Sequence, residues 1–450
     1  MNDKLPKVID LFSGCGGLAL GFEKAGFEIV AGVELMPKAV DTISYNLAWR
    51  YGKEENHICG DITKMEADQF KDKFGSEGCI VIGGPPCQAY SSAGKGKLRS
   101  LGEERVNTKD KRGYLYQDFL RFAFGLNAKA VVMENVPEST KFGDMNIPEI
   151  VCQELTEHGY NAFWTILCAA DYGVPQLRER VIVLAIQKDL GHIRLPLPTN
   201  VSKTGHQTQY SKQFATFEQC KFFKRPNVAD IDLPAWVTVG DALSDLPILF
   251  PDPSAKYKST PMDLELEYRK DASNNFQSMM RSWYNDSSSS VACNAFRNNT
   301  RDFPIFARMQ QGHNYIDASR IADELFAAKA NALRLQAGTE EYDTLKRSMV
   351  PIYDRTSFSD KWRRLEENKP SHTIVAHLQM DTYSHIHPWE ARGISVREAA
   401  RLQSFPDGFY FSCSMGDAYK QIGNAVPPLL ALGVAKTVAE SFNSITNDAD

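Results

Sequence analysis

The sequence predicts an α/β protein in which a mostly parallel sheet is accompanied by a second, smaller domain. Residues 8–33 have the pattern of a strand, a glycine-rich turn, a helix and a second strand, which together make a βαβ unit. Two more apolar runs of strand length, residues 79–82 and 130–133, are each followed closely by chemically reactive side chains. From about residue 195 to residue 359 the chain becomes polar and irregular, which indicates a separate domain within the chain.

Composition and charge narrow the class of protein. The 450 residues are enough for two domains, and 43% hydrophobic with 24% charged residues is ordinary for a soluble globular protein. The nine cysteines are dispersed without a Cys-x-x-Cys pair, which argues for a reducing compartment and against a disulfide framework or zinc ribbon. No run is apolar and long enough to span a membrane, and the first residues lack the apolar core of a signal peptide. We therefore expect a cytoplasmic protein, and its net charge of -5 means that any binding to a polyanion requires a local basic patch.

The first βαβ unit has the features of a binding site for the adenosine part of a cofactor. Its turn contains Gly14, Gly16 and Gly17, which allow close approach, although their spacing differs from the dinucleotide pattern Gly-x-Gly-x-x-Gly. Glu34 closes the second strand, where a carboxylate can accept hydrogen bonds from ribose hydroxyls. Asp61 follows a third short apolar run and could accept a hydrogen bond from an adenine amino group, but turn statistics favour a structural turn aspartate equally.

A cysteine follows the apolar run 79–82. In Gly83-Gly84-Pro85-Pro86-Cys87-Gln88 the glycines allow a tight turn and the prolines fix φ, so the thiol is held past the carboxyl end of a strand. Open α/β sheets place their ligands at that edge, although most lone cysteines are simply buried packing residues. Residues 89–112 are rich in glycine, serine and basic side chains, which fits either a loop that closes over a polyanion or an ordinary solvated loop.

Three further charged residues, Glu134, Arg178 and Arg180, are candidates for the chemistry. Glu134 directly follows the run 130–133, where burial would raise the pKa of its carboxyl group and favour the proton-donating form. The alternative for Glu134 is an ordinary strand-end ion pair. Arg178 and Arg180 are two residues apart on an extended segment and therefore share a face. Their guanidinium groups can donate to a carbonyl oxygen, hold phosphates, or pair with Glu179.

Six blocks in order along the chain resemble the motifs of the DNA (cytosine-5) methyltransferases of the bacterial modification type. The blocks are residues 10–17 (DLFSGCGG), 84–88 (GPPCQ), 134–136 (ENV), 176–180 (QLRER), 397–406 (REAARLQSFP) and 421–428 (QIGNAVPP).

This resemblance implies an AdoMet-dependent, Rossmann-like fold and methylation of carbon 5 of a flipped-out cytosine in double-stranded DNA. Cys87 would add to carbon 6 of the base, Glu134 would supply a proton to ring nitrogen 3, and Arg180, supported by Arg178, would reach the base. S-adenosyl-L-methionine would be the methyl donor and S-adenosyl-L-homocysteine the product. The cofactor-binding residues that the resemblance implies are Phe12, Ser13, Gly14, Gly16, Gly17, Leu18, Glu34, Asp61, Ile62, Pro85, Asn424 and Val426. The DNA-binding residues expected near the nucleophile are Gln88, Ser91, Lys95, Lys97 and Arg99.

The resemblance also implies a division of the chain into a catalytic domain, residues 1–190 completed by residues 419–450, and a target-recognition domain with a hinge, residues 191–418. By residue type, the candidates for reading bases in the middle region are Arg297, Arg301, Arg308, Gln310, Gln311 and Asn314. No metal is expected, because no cysteine or carboxylate completes a site with His377, His385 and His387 at good spacing.

Two other functions remain open at this point. One is a tRNA cytosine-5 methyltransferase on the same fold, against which stand the long middle region and the absence of a Cys-Phe-Thr tripeptide. The other is a DNA-binding regulator without catalysis, against which stand the intact Cys87, Glu134 and Arg180. We expect a monomer that acts on nucleoid DNA and belongs to a restriction-modification or similar system, with a cognate restriction endonuclease as a possible partner.

Overall fold

The computed structural model describes residues 5–86, 114–251, 261–284, 288–351, 361–380 and 382–447. These residues form two compact units, of which the first comprises the residues up to Trp236 together with those from Ala425, and the second is Val237–Asn424. The first unit thus extends beyond the boundary expected near residue 190. The reason is a small set of aromatic side chains in this polar stretch, including Phe217 and Phe223, which pack on Trp164 with ring centroids 5.5 and 4.7 Å away.

Strands and helices alternate through the first part of the chain, and helices dominate the second unit. The elements of the first unit up to Trp236 are β1 (Lys7–Leu11), α1 (Gly17–Lys24), β2 (Ile29–Glu34), α2 (Pro37–Leu47), β3 (His57–Cys59), β4 (Cys79–Gly83), α3 (Leu115–Gly125), β5 (Ala130–Asn135), α4 (Ile147–Glu157), β6 (Tyr160–Cys168), β7 (Gln176–Leu177), β8 (Glu179–Gln187) and α5 (Phe214–Phe217). Those of the second unit are α6 (Val239–Leu243), β9 (Leu266–Glu267), α7 (Asn275–Ser282), β10 (Ser290–Val291), α8 (Phe303–Phe306), α9 (Tyr315–Ala332), α10 (Glu340–Met349), β11 (Ser371–His372), α11 (Val396–Leu402) and α12 (Met415–Asn424), and α13 (Pro428–Asn447) belongs to the first unit.

The sheet of the first unit has seven strands in the order β3-β2-β1-β4-β5-β8-β6. Strands β3, β2, β1, β4 and β5 are parallel, whereas β8 runs antiparallel to both of its neighbours, β5 and β6. The expectation of a mostly parallel sheet in an α/β fold is therefore confirmed. Because parallel strands end at the same edge, the segments that follow β1, β2, β4 and β5 all begin at one edge of this sheet.

Alternation along the strands divides the core between the two faces of the sheet. On one face, Ile9 and Val81 lie in a buried cluster with Phe119 and Phe122 of α3.

Glycine allows α1 and α13 to approach each other closely, because a Cβ atom added at Gly21 would lie 2.4 Å from the Cβ of Ala431 and 2.6 Å from the main-chain nitrogen of Leu432.

We expect Gly21→Ala to destabilise the first unit. The added methyl group would force α1 away from α13, and overpacking of this kind typically costs about 1–3 kcal/mol, more than the gain in helix propensity of up to about 1 kcal/mol. Thermal denaturation followed by circular dichroism measures the change, with the exposed Lys24→Ala on the same helix as control. A Gly21→Ala protein that melts at or above the wild-type temperature would contradict the close packing.

The second unit contains a buried ionic network built from the block at residues 397–406. Arg401 is fully buried and its guanidinium donates to Asp245 Oδ1 and to Asp407 Oδ1, both at 2.8 Å. Arg397 donates to the carbonyl oxygens of Pro406 and Phe409 at 3.0 and 2.7 Å. Removing one partner would leave a buried charge uncompensated, so we expect the loss of any one of these charged side chains to destabilise the unit.

The long helix of the second unit begins earlier than expected. The spacing of apolar residues in the sequence predicts an amphipathic helix over residues 322–335, whereas the structure has α9 at Tyr315–Ala332. The difference arises from a capping box, in which the Asn314 side chain accepts a hydrogen bond at the start of the helix while the Asp317 carboxylate accepts one from the Asn314 main chain.

The expectation that no run is apolar and long enough to span a membrane needs one correction: among the described residues, the stretch Met415–Asn443, which comprises α12 and most of α13, passes by length and composition alone. Most of its apolar window is buried inside the protein, as in the core helix of a globular domain.

Candidate functional site

The turn between β1 and α1 adopts a conformation that depends on its glycines. Phe12, Gly14 and Gly16 have φ angles of 59°, 55° and 92°. A Cβ atom at Gly16 would lie 2.6 Å from Ile43 Cδ1, and one at Gly17 would lie 2.2 Å from the carbonyl oxygen of Val426. At Gly14, by contrast, no described atom lies within 4 Å of the Cβ position, so the turn leaves open space there for an approaching ligand.

Glu34 fixes this turn against the end of β2. Its Oε2 accepts a hydrogen bond from the Gly14 main chain at 2.9 Å, and its Oε1 accepts one from the Met36 main chain at 2.8 Å. Each carboxylate oxygen has two lone pairs, so both retain the capacity to accept from a ligand. Ser13 is held similarly, because its main-chain N–H donates to the Val33 carbonyl at 3.1 Å.

Asp61 has the structural turn role, which was one of the two alternatives that the sequence left open. Its Oδ1 accepts from the main chain and hydroxyl of Thr63 at 3.1 and 2.8 Å, which caps the short 3₁₀ helix Ile62–Lys64. These hydrogen bonds lower the pKa of Asp61. Ile62 is buried, and contact of either residue with adenine stays a prediction.

The segment after β4 lies against the end of β5. The side-chain amide of Asn135 donates to the Pro85 carbonyl at 3.3 Å, and a Cβ atom at Gly84 would lie 3.0 Å from Glu134 Oε2. Residues 87–113, which follow this segment, are not among the described residues. The predicted nucleophile Cys87 therefore lies outside the described residues, as do the predicted DNA-binding residues Gln88, Ser91, Lys95, Lys97 and Arg99.

Glu134 and Arg180 form an ion pair at this edge of the sheet. The Arg180 Nε lies 2.7 Å from Glu134 Oε1, and each side chain is only 10% exposed. Burial raises the pKa of Glu134, and the positive charges of Arg180 and Arg178 act in the opposite direction. A buried carboxyl group with a raised pKa can donate a proton closer to neutral pH than an ordinary glutamate can.

The two arginines of the block at residues 176–180 have different partners. Arg178 is buried, and its Nη2 donates to the Ala425 carbonyl at 3.0 Å. The alternative in which the arginines pair with Glu179 is wrong for the side chains, because the Glu179 carboxylate accepts from the Thr208 hydroxyl and from the Tyr210 main chain. Glu179 does contact Arg180 through its main chain, because its carbonyl oxygen accepts from Arg180 Nη1 at 2.6 Å.

Of the cofactor candidates at residues 421–428, Val426 is buried in the first unit, where its carbonyl oxygen limits the space at Gly17. Asn424 ends α12 in the second unit with an exposed side chain.

Four of the six candidates for reading bases have structural roles in the second unit. Arg297 donates to the Gln379 carbonyl at 2.9 Å, and Arg301 pairs with Asp302. Gln311 accepts from the Glu367 main chain at 2.9 Å, and Asn314 caps α9. The other two, Arg308 and Gln310, are exposed.

The histidines form no metal site in the part of the chain that the structure describes, where no group of three or more histidine, cysteine or acidic side chains converges. His385 and His387 are buried, and burial lowers their pKa values to about 4 and about 3. Both side chains are therefore neutral at pH 7.

Two residues near the candidate site, Asp10 and Asn135, were not assigned a role from the sequence. Asp10 is buried with its Oδ2 unpartnered among the described residues, and burial followed by the charge of Glu34 raises its pKa well above the usual range. The sequence feature that could have identified Asp10 is its position as an acidic residue inside the apolar run 8–11. Asn135 donates a hydrogen bond to the Pro85 carbonyl, and the sequence feature that points to it is its position directly after Glu134.

Comparison with known proteins gives consistent matches. The family model for C-5 cytosine-specific DNA methylases matches residues 6–440. The chain is 51% identical over 449 residues to an Oceanobacillus iheyensis protein whose name assigns it to the type II methyltransferases, covering 98% of this chain and 97% of that one. It is 30% identical over 462 residues to the type II methyltransferase M.AgeI of Thalassovita gelatinovora, covering 96% of this chain and 99% of that one. A solved structure described as a prophage-encoded DNA modification methyltransferase of Escherichia coli has the same fold, with a TM-score of 0.64, 23% identity and coverage of 97% and 99%.

Proposed function

The chain belongs to the C-5 cytosine-specific DNA methylase family, and we propose that it methylates carbon 5 of a flipped-out cytosine within a specific double-stranded DNA sequence. The observation that supports this most directly is the buried Glu134–Arg180 pair, which lies beside Gly84 in the segment that leads into Cys87. Gly84, three residues before Cys87 in the sequence, thus lies next to an acid that is paired with a guanidinium group. Because stacking covers the faces of a paired cytosine, the base must leave the duplex to meet them.

The reaction requires a nucleophilic side chain because carbon 5 of cytosine is itself too weak a nucleophile to attack the methyl group of a sulfonium directly. A thiolate from Cys87 that adds to carbon 6 makes carbon 5 electron-rich and divides one difficult step into two easier ones. Electron density moves toward ring nitrogen 3 during this addition, and Glu134 in its protonated form donates there. After methyl transfer a base removes the proton from carbon 5, the electrons of that bond form the double bond to carbon 6 and expel the Cys87 sulfur as thiolate, and Glu134 takes back the proton from ring nitrogen 3.

The first unit offers a site that fits S-adenosyl-L-methionine, which supplies an electrophilic methyl group and becomes S-adenosyl-L-homocysteine. The open space at Gly14 adjoins the Glu34 carboxylate, which retains lone pairs for ribose hydroxyls. We assign the turn from Phe12 to Leu18, together with Glu34, Asp61 and Ile62, to this cofactor.

A transfer assay tests the proposed function. Purified protein is incubated with AdoMet labelled in the methyl group and with either duplex DNA or tRNA, and DNA from cells expressing the protein is sequenced after bisulfite treatment. We expect label in duplex DNA at carbon 5 of cytosine within one sequence context. Label in tRNA alone would favour the RNA enzyme, and DNA binding without transfer would favour the regulator.

The names of the relatives support a finer inference about biological context. Because both relatives carry type II methyltransferase names, we infer that this protein protects DNA within a restriction-modification system in the cytoplasm. Protection of plasmid DNA against a restriction endonuclease of the same sequence specificity would test that role.

We expect Glu34→Ala to weaken AdoMet binding about ten- to a hundredfold, because charge-assisted hydrogen bonds are worth roughly 1.5–3 kcal/mol. The substitution also removes the acceptor that holds the Gly14 main chain. Isothermal titration calorimetry measures the affinity, and Glu28→Ala, an exposed glutamate before the other end of β2, is the matched control. Unchanged affinity in Glu34→Ala would remove Glu34 from the cofactor site.

A further inference from the structure

One loop of the second unit, residues 307–313, has a rigid foundation. It connects α8 to the start of α9, and the side chains of Phe306 and Met309 belong to a buried cluster with Trp362 and Tyr383. The Phe306 ring lies 5.2 Å from that of Trp362 and 5.1 Å from that of Tyr383, in edge-to-face contacts.

Arg364 fastens the main chain of this loop from inside. Arg364 is only 8% exposed, and its Nη1 donates to the carbonyl oxygens of Phe306 at 2.5 Å and Met309 at 2.7 Å. Its main-chain N–H donates to the His313 carbonyl at 2.9 Å, and its carbonyl accepts from the Gly312 N–H at 3.0 Å. Gly312 has a φ of 84°, a conformation that suits glycine. The loop backbone is therefore fixed at both ends.

This fixed loop presents two polar side chains outward. Arg308 and Gln310 flank the buried Met309 and are both exposed. In the described part of the chain the Arg308 guanidinium has no hydrogen-bond or ion-pair partner, and the Gln310 amide nitrogen donates to no other group. The other four candidates of the same kind already serve the fold, so these two remain available to a ligand.

We propose that Arg308 and Gln310 read base edges and that the loop 307–313 determines which DNA sequence is methylated, an inference that rests on the proposed function. An arginine donates two hydrogen bonds to O6 and N7 of guanine, and a glutamine pairs in the same way with N6 and N7 of adenine. Because the backbone is already ordered, little conformational entropy is lost when these side chains bind. The target sequence should accordingly contain a guanine read by Arg308 and an adenine read by Gln310.

The test compares methylation rates across a library of duplexes that differ by single base pairs around the methylated cytosine. Arg308→Ala and Gln310→Ala should each lower the preference for the native base at one position about ten- to a hundredfold, which is the discrimination that one bidentate contact supplies. Arg308→Lys separates base reading from charge, since lysine retains a phosphate contact but loses the two-pronged geometry. The matched control is Arg320→Ala, which removes an exposed arginine of α9 that pairs with Glu324.

The outcomes separate this inference from the function on which it rests. If the wild-type protein methylates no duplex, the proposed function fails and the inference fails with it. If the wild-type protein is active and Arg308→Ala slows all duplexes equally, Arg308 contacts phosphate and base reading is overturned. If Arg308→Lys keeps full discrimination, the two-pronged guanidinium contact is overturned. Relaxed preference at one guanine position in both Arg308 variants, with thermal stability and the Arg320→Ala profile unchanged, supports it.

Discussion

Replacing Cys87 with serine is expected to reduce methyl transfer by several orders of magnitude, because a serine hydroxyl is almost wholly protonated at neutral pH and is a far weaker nucleophile. A duplex with 5-fluorocytosine at the target position reports on the same step. Fluorine cannot leave carbon 5 as a cation, so the wild-type protein should methylate the base once and remain attached through the Cys87 sulfur. The adduct should survive denaturing electrophoresis and should require AdoMet to become irreversible.

Peptide mapping of this adduct decides which cysteine reacts. Cys59 is an exposed cysteine of the first unit, so Cys59→Ser is a suitable control that should form the adduct normally. Attachment at another cysteine, or an equal yield from Cys87→Ser, would overturn the assignment of the nucleophile.

Glu134→Gln is expected to slow methylation about 10²–10⁴-fold, which is the usual contribution of a general acid. Glutamine has a similar size and keeps an oxygen toward Arg180, so the fold should be retained. The loss should appear mainly in kcat and in the rate of formation of the 5-fluorocytosine adduct, with AdoMet affinity unchanged. Full activity in Glu134→Gln would show that the proton for ring nitrogen 3 comes from elsewhere.

The pH dependence follows from the same carboxyl group. Burial raises the pKa of Glu134 in the folded protein, so the folded state binds this proton more tightly than the unfolded state does. The stability that protonation contributes is present below the unfolded pKa and is lost as the pH rises through the raised folded value. The donating form is lost over the same interval, and kcat should fall there in the wild-type protein but not in Glu134→Gln.

The parts of the site that could be predicted from sequence are those whose position follows from a short stretch of neighbouring residues. A strand followed by glycines and a strand-end carboxylate predicted that Gly14 and Glu34 serve one site, whereas the hydrogen bond between them was not predicted, nor was the antiparallel placement of β8 that brings Arg180 to Glu134. The sequence could not show that Asp61 caps a short helix, because a turn aspartate and a ligand-binding aspartate have the same local pattern.

Other features depended on contacts between distant segments. The extension of the first unit to Trp236 follows from a few aromatic side chains in a polar stretch, whose packing on Trp164 no periodicity reveals. Likewise, Arg301 and Arg308 are indistinguishable by residue type, and only the ion pair with Asp302 separates a structural arginine from an available one.

The pairing of α1 with α13 has a consequence for the order in which the protein folds during its synthesis. The face of α1 at Gly21 is covered by Ala431, which the ribosome adds about 400 residues later. At the usual elongation rates of about 5–20 residues per second, this face of α1 stays uncovered for a time on the order of half a minute. The second unit is one continuous segment, Val237–Asn424, and can complete its own contacts while the first unit is still unfinished. The nascent chain therefore carries an uncovered apolar helix surface near its amino terminus until synthesis is almost finished.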